Sequence, residues 1–303
     1  MKRLGYDEKV VRDEISRCLS EGSTVIDLSW QRIDVLPESV DDDLTHITKL
    51  DLSHNRLTAL PDWVGNLTNL TGLDLSDNRL TALPGWLGDL TQLTLLLMWK
   101  NRLTTLPESL GGLTNLEWLN ADYNQLTTLP ESMGGLTGLT QLDLRENTLT
   151  TLSESLGGLR DLTGLDLRNN RLTTLPESLG GLTGLTELHA RGNRLTTLPE
   201  SVGDLTSLTR LLLSENELAS LPESLGGMSA LNDLYLDCNQ LTTLPESVGD
   251  LTGLTRIFLY DNRVTTLPET LAGLPNLTYL GLSRNEMTTL PESLRSLADI
   301  AHF

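Results

Sequence analysis

Cysteine is scarce in this chain. Cys18 and Cys238 are its two thiols among 303 residues, too few for a disulfide framework, so a reducing compartment is expected. Positive charge is also short: 22 Lys and Arg face 41 Asp and Glu, for a formal net charge of -19. Phosphate recognition depends on clustered Lys and Arg, so this balance argues against a nucleic-acid partner and against an anionic membrane surface. No run approaches the ~18 consecutive apolar residues of a membrane-spanning helix, and the segment from Met1 to Glu8 lacks the apolar core of a signal peptide. The expectation is a cytoplasmic protein, with translocation into a host cell as the alternative. Phosphate-cradling G-x-x-x-x-G-K-[ST], nucleophile-elbow and metalloprotease motifs are missing as well.

What is present is repetition. Length alone favours two globular domains, but internal periodicity takes precedence over that prior. From residue 47 onward the pattern L-x-x-L-x-L-x-x-N-x-L recurs every 23 residues, with its asparagine at Asn55, Asn78, Asn101, Asn124, Asn147, Asn170, Asn193, Asn216, Asn239, Asn262 and Asn285. A degenerate copy precedes these, offset by 24 residues, with Ile26, Leu28 and Ile33 in the apolar places and Gln31 in the asparagine place. About twelve turns account for nearly the whole chain.

The copy around Asn101 shows what each turn encodes. Leu96 and Met98 alternate with Leu95, Leu97 and Trp99, so a short strand points one set inward and the other outward. The Asn101 amide follows at the bend, where it can satisfy main-chain groups that a tight turn leaves unpaired. Pro107 and the Gly111-Gly112 pair then predict only a short helical or 3₁₀ turn on the opposite side. One turn cannot bury its apolar edge, whereas a stack of turns buries a continuous leucine core behind a parallel sheet. Such a stack needs caps. Val11, Ile15, Cys18 and Leu19 form one helical stripe that stops at Gly22, which predicts an N-terminal capping helix over 1–22. Repeats span 23–295. Leu294, Leu297, Ile300 and Phe303 suit a C-terminal closure, so 296–303 is either a cap or a truncation point.

These residues resemble the leucine-rich repeat superfamily. The 23-residue form with Leu-Pro after the asparagine loop is similar to an intracellular group that includes Ras-pathway scaffolds and the repeat regions of bacterial Roco proteins. The segment EGSTVIDLSWQRIDVLPESV at 21–40 looks most like the start of bacterial domains of this type. The resemblance implies an α/β fold, a right-handed solenoid or horseshoe whose parallel sheet is concave and binds partners. It carries over neither the GTPase module of Roco proteins nor the catalytic domain of bacterial ubiquitin-ligase effectors, because neither follows here.

The distribution of rings bears on that face independently. Of 12 aromatic residues, Trp30, Trp99, Trp118, Tyr123, Tyr235, Phe258, Tyr260 and Tyr279 fall at outward strand positions or beside them. Inward places are already filled by leucine, so such rings are accessible, and exposed aromatic clusters mark recognition surfaces. The predicted binding residues are Leu95, Leu97, Trp99, Trp118 and Tyr123 at one end, then Arg145, Arg168, His189 and Arg210, then Tyr235, Phe258, Tyr260 and Tyr279. An apolar anchor at each end of a polar middle suits a protein or peptide ligand. Trp63 and Trp86, in equivalent places after the Leu-Pro step, read as packing on the outer side. The 23-residue ladder of glutamates from Glu108 to Glu292 reads as a solvated stripe, as does the broken arginine row of Arg56, Arg79, Arg102, Arg171, Arg194 and Arg263.

Chemistry finds little footing. Cys238 and His189, both assigned to the outward strand face, stand two turns apart, roughly 10 Å on sheet spacing and beyond the reach of a nucleophile and its base. His46 and His54 lack a third ligand at zinc spacing, and the recurring outward aspartates belong to the repeat itself. Ala121 and Ala190 replace inward leucines, with Met98 able to fill space beside Ala121, and Ser153 replaces a proline, which predicts a slightly looser turn. No cofactor, metal site or catalytic residue is predicted. The leading reading is a non-enzymatic protein-interaction scaffold, the alternatives being a bacterial effector or regulatory arm acting on another enzyme, or a carbohydrate-binding module.

Overall fold

The architecture comes from a computed structural model that describes residues 2–303. Met1, the first residue of the expected N-terminal cap, lies outside the described residues. Two compact units divide the chain after Thr148. The first contains helix α1 (Lys2–Glu21) and strands β1 (Val25–Asp27), β2 (Lys49–Asp51), β3 (Gly72–Asp74), β4 (Leu95–Leu97), β5 (Trp118–Asn120) and β6 (Gln141–Asp143). The second contains β7 (Gly164–Asp166), β8 (Glu187–His189), β9 (Arg210–Leu212), β10 (Asp233–Tyr235), β11 (Arg256–Phe258), β12 (Tyr279–Gly281) and β13 (Ala301–His302).

Within each unit successive strands pair in parallel with no insertion between them. Lys49, Leu50 and Asp51 face Gly72, Leu73 and Asp74, and those face Leu95, Leu96 and Leu97. Because one turn takes 23 residues, every repeat position forms a column across the sheet. The middle residue of each strand points into the core: Leu50, Leu73, Leu96 and Leu119 are at most 1 % exposed. Each leucine so buried contributes about 1.5–3 kcal/mol of hydrophobic free energy, and the period repeats the gain turn after turn.

A 3₁₀ helix returns the chain behind the sheet. Pro107 precedes Glu108–Gly112 in an extended conformation, φ -72° and ψ 147°, and the prolines that precede the other 3₁₀ helices do likewise. The helix stays short because neighbouring turns touch there: a Cβ on Gly111 would come within 2.4 Å of the Ser132 carbonyl oxygen. Ser153 corrects an expectation. It keeps φ -70° and ψ 143°, and its hydroxyl accepts the Ser155 N–H at 3.0 Å, so a side-chain cap takes over from the proline ring and the turn is not loosened.

The asparagines form the second internal ladder. Asn101 Nδ2 donates to the Leu75 carbonyl of the turn before at 2.9 Å and to the Met98 carbonyl of its own at 3.1 Å. Its Oδ1 accepts the Leu80 N–H at 3.0 Å. The same set recurs around Asn239 in the second unit. The residue just before each asparagine bends into the left-handed region, as at His54 (φ 55°), Lys100 (φ 57°), Tyr123 (φ 52°) and Cys238 (φ 55°). That conformation is costly for residues with a Cβ. Backbone bonds to the following turn hold it, His54 N–H to the Ser76 carbonyl and Cys238 N–H to the Tyr260 carbonyl, each at 2.8 Å.

The ends depart from expectation in four places. Along α1, Val11, Ile15 and Cys18 are buried, but Leu19 turns outward at 38 % exposure, and the helix ends at Gly22 with φ 62°. Nearer the start of the helix the buried stripe also takes in a polar residue: Asp7 is 2 % exposed and its Oδ2 accepts the Asp34 and Val35 N–H groups. Gln31 does not join the asparagine ladder. It is exposed, flanked by left-handed Trp30 and Arg32, and Asn55 bonds the Leu28 carbonyl and Ile33 N–H of that turn instead. At the other end Leu294 and Leu297 are buried, whereas Phe303 closes nothing and stays 48 % exposed after β13.

Candidate functional site

The outward columns of the sheet carry the predicted binding residues, and their surroundings differ between the two units. In the first, Trp30 stands 70 % exposed and stacks on the His54 imidazole at 3.8 Å, and Trp99 meets the other edge of His54 at 5.7 Å. The left-handed bend at residue 54 places that imidazole between the two indoles. Asp77 accepts from both His54 Nδ1 and Lys100 Nζ at 2.9 Å, and although burial pushes its carboxyl up, these two partners hold it below the usual range. Trp118 and Tyr123 stand apart from this trio. Trp118 Nε1 donates to Asp143 Oδ2 at 2.8 Å, and Tyr123 lies under the Arg145 guanidinium at 5.3 Å. The sequence had grouped Trp99 with Trp118 and Tyr123; no ring contact joins them among the described residues.

Leu95 and Leu97 are half-buried on the same face and border a hollow of ≈ 330 Å³ that extends over Gly72 to Val25. Asp27, Asp51 and Asp74 line it as one column. Burial pushes the Asp74 carboxyl above its ordinary value and the neighbouring Asp51 charge adds to this, outweighing the Ser76 bonds and the proximity of His54.

In the second unit the rings meet one another. Tyr235 and Phe258 stack face to face at 4.4 Å with 6° between their planes, and Phe258 also touches Tyr260 and Tyr279. His302 extends the row by stacking on Tyr279 at 4.7 Å. Gly281 makes room for this arrangement, since a Cβ there would lie 2.5 Å from the Tyr260 ring.

The predicted cationic middle turns out to be paired within the protein. Arg145 bonds Asp122 at 2.8 Å, Arg168 bonds Asp166 and Arg210 bonds Glu187. His189 also faces Glu187, at 3.1 Å. Arg256, which is not among the predicted binding residues, binds Asp233 through two nitrogens. The Arg256 bonds lead the causes that hold the Asp233 carboxyl below its usual value.

Other assignments change with the geometry. Cys238 lies at a left-handed bend after the strand, not on the strand face. Its thiol faces Asp261 at 4.0 Å, and burial together with the charges of Asp237, Asp261 and Glu215 pushes its pKa up, away from the reactive thiolate. Trp63 is buried and donates to the Pro37 carbonyl at 2.9 Å, and Trp86 packs over Gly65, so both belong to the outer side. The glutamate stripe does more than meet solvent: Glu108 accepts the Ser132 N–H, and Glu154 the Ser178 N–H, each one turn further on. The Ser178 backbone bond leads in holding Glu154 below the usual carboxylate range. Among the described residues no group of three or more His, Cys, Asp or Glu is placed to hold a metal ion, and no helix is long and apolar enough to cross a membrane.

Comparison with known proteins places this geometry. A family model described as leucine rich repeat matches residues 24–80, 153–195 and 229–287, and one described as leucine-rich repeat region matches 63–167. Among solved structures, a leucine-rich-repeat protein of Leptospira interrogans is 34% identical over 94% of this chain and 79% of that chain, with a TM-score of 0.79. The plant peptide hormone receptor RGFR1, in complex with RGF2, is 28% identical over 92% of this chain and 51% of its own, with a TM-score of 0.68. Toll of Drosophila, in the Toll–Spätzle complex, is 25% identical over 86% and 40%, with a TM-score of 0.69. No curated protein matches.

Proposed function

The chain belongs to the leucine-rich repeat family, and from that premise we propose that it is a non-enzymatic scaffold whose open sheet face binds a protein or peptide. The carrying observation is the row of Tyr235, Phe258, Tyr260 and Tyr279, which stack on each other on the side of the sheet away from the leucine core. Folding does not require rings there, because the inward columns are already filled. Rigid aromatic side chains already held by their neighbours lose little freedom on binding, which is why they anchor interfaces. The receptor structures solved with RGF2 and with Spätzle support the reading by likeness of fold. In this protein the arginines beside the rings are held by acids, so the rings supply affinity and the ion pairs fix orientation. The free thiols Cys18 and Cys238 suit a reducing compartment.

Panning a displayed random-peptide library against the full chain tests this. Selected peptides should bind about tenfold or more weakly to the Trp99→Ala and Phe258→Ala, Tyr260→Ala variants. They should bind unchanged to Asp89→Ala and Glu269→Ala on the 3₁₀ side. Peptides indifferent to the sheet-face variants, or a glycan array with hits where the library has none, would overturn it.

A further inference from the structure

The hollow on the first unit carries a more specific partner chemistry. It exists because Gly72 stands in the outward column between Lys49 and Leu95, and a Cβ at that position would meet nothing closer than Lys49 Cγ at 3.6 Å. The walls are apolar, supplied by Val25, Leu95 and Leu97. Asp27, Asp51 and Asp74 stand in the adjoining column on successive strands, roughly 4.8 Å apart. One oxygen of each is used locally, accepting the N–H of Ser29, Ser53 or Ser76 at 2.8–2.9 Å. Among the described residues the second oxygen of each accepts no hydrogen bond, and none of the three has an ion-pair partner within 4.0 Å. Lys49 lines the hollow without making an ion pair.

This differs from the rest of the same face. Asp122, Asp166 and Asp233 each hold an arginine of the protein itself, so their charge is already answered. Three aligned carboxylates beside an apolar hollow repel one another and lack that answer. A metal ion does not fit, since the carboxylates do not converge into a ligand group. A side chain with an apolar stem and a cationic head matches both halves of the hollow.

We infer that the Gly72 hollow seats a lysine or arginine side chain of the bound protein, its stem against Leu95, Leu97 and Val25 and its charge facing Asp27, Asp51 and Asp74. The inference rests on the reading that the sheet face binds a protein. A cation there screens the Asp51–Asp74 repulsion, and its own desolvation is limited because the hollow stays open on one side.

An ¹⁵N TROSY titration of the full chain tests it, with the pentapeptides acetyl-Gly-Leu-X-Leu-Gly-amide in which X is arginine, lysine or the neutral arginine isostere citrulline. The arginine and lysine peptides should shift the Gly72, Asp74 and Leu97 amides, and the citrulline peptide should bind at least about threefold more weakly, the scale of a partly exposed ion pair. Asp51→Asn and Asp74→Asn, which keep the shape, should each weaken the charged peptides by about threefold, and Lys49→Ala should strengthen them. Gly72→Ile, which fills the hollow and keeps the charge, should abolish the shifts. Citrulline binding as well as arginine, indifference to the Asn or Ile variants, or no shift at these amides overturns the inference. If library-selected peptides still need Trp99, Phe258 and Tyr260, the broader reading survives that failure.

Discussion

The sheet faces of the two units rest on one scaffold and are finished in opposite ways. In the second unit the rings of Tyr235, Phe258 and Tyr279 lie on one another and Asp233 is held by Arg256, so the surface is settled before any partner arrives. In the first unit Trp30 is mostly exposed, and Asp27, Asp51 and Asp74 face a hollow whose lining cation, Lys49, makes no ion pair with them. A repeat scaffold can thus hold one face preorganised and another electrostatically unmet, because the leucine and asparagine columns that keep the turns together are insulated from the outward columns.

The comparison can be broken most directly at the scaffold. Asn124→Ala in the first unit and Asn239→Ala in the second each orphan main-chain groups in two turns, and should cost about 3 kcal/mol alike in urea unfolding. Clearly unequal losses would show that the units differ in their foundations and not only in their faces. The rings come next. Phe258→Ala removes a ring packed on three others and should cost about 1–2 kcal/mol, whereas Trp30→Ala should cost under about 0.5 kcal/mol, because among the described residues its one ring contact is with His54.

The carboxylates should differ in sign. Asp233 is depressed by its bonds to Arg256, so the stability it gives is present above its unfolded pKa and lost as pH falls through the lower folded one. Asp233→Asn should therefore destabilise the protein at neutral pH, by about 1 kcal/mol. Asp74 is raised, chiefly by burial and then by Asp51, so its favourable contribution is present below the unfolded pKa and lost as pH rises through the folded one. Asp74→Asn should stabilise at neutral pH, by roughly 0.5 kcal/mol for a half-buried charge, even as it weakens cation binding. Urea titrations at neutral pH and at pH about 4 check both signs. The smallest effect belongs to Ser153→Pro. It trades the Ser155 cap for a stiffer unfolded chain, and should move the midpoint by less than about 0.5 kcal/mol.

The repeat made most of the fold readable, because leucine at Leu50, Leu73 and Leu96 and asparagine one bend later leave each position a single column to occupy. The candidate site was half readable. That Trp99, Phe258 and Tyr260 face outward follows from alternation along a strand; that Trp99 belongs with His54 and Trp30 does not. Nothing in the residue type at 54 announces a left-handed bend, since the position is variously His, Asp, Lys, Tyr and Cys along the chain. The pairing of Arg145, Arg168 and Arg210 with acids does not follow from alternation along a strand, because it depends on which side chains meet within a turn or across neighbouring turns. The glutamate stripe carries a usable signal, a glutamate 24 residues before the serine at the second position of the next 3₁₀ turn.

By itself the sequence determined the period, and with it the family, the buried columns and the list of residues able to face a partner. Strand alternation and a fixed 23-residue turn are local rules, and local rules can be read from a string. Only the tertiary structure decided which outward residues touch. Contacts between turns depend on strand spacing, on the left-handed bend before each asparagine, and on the space a missing side chain leaves at Gly72 and Gly281. The aromatic row and the acidic hollow are products of those distances.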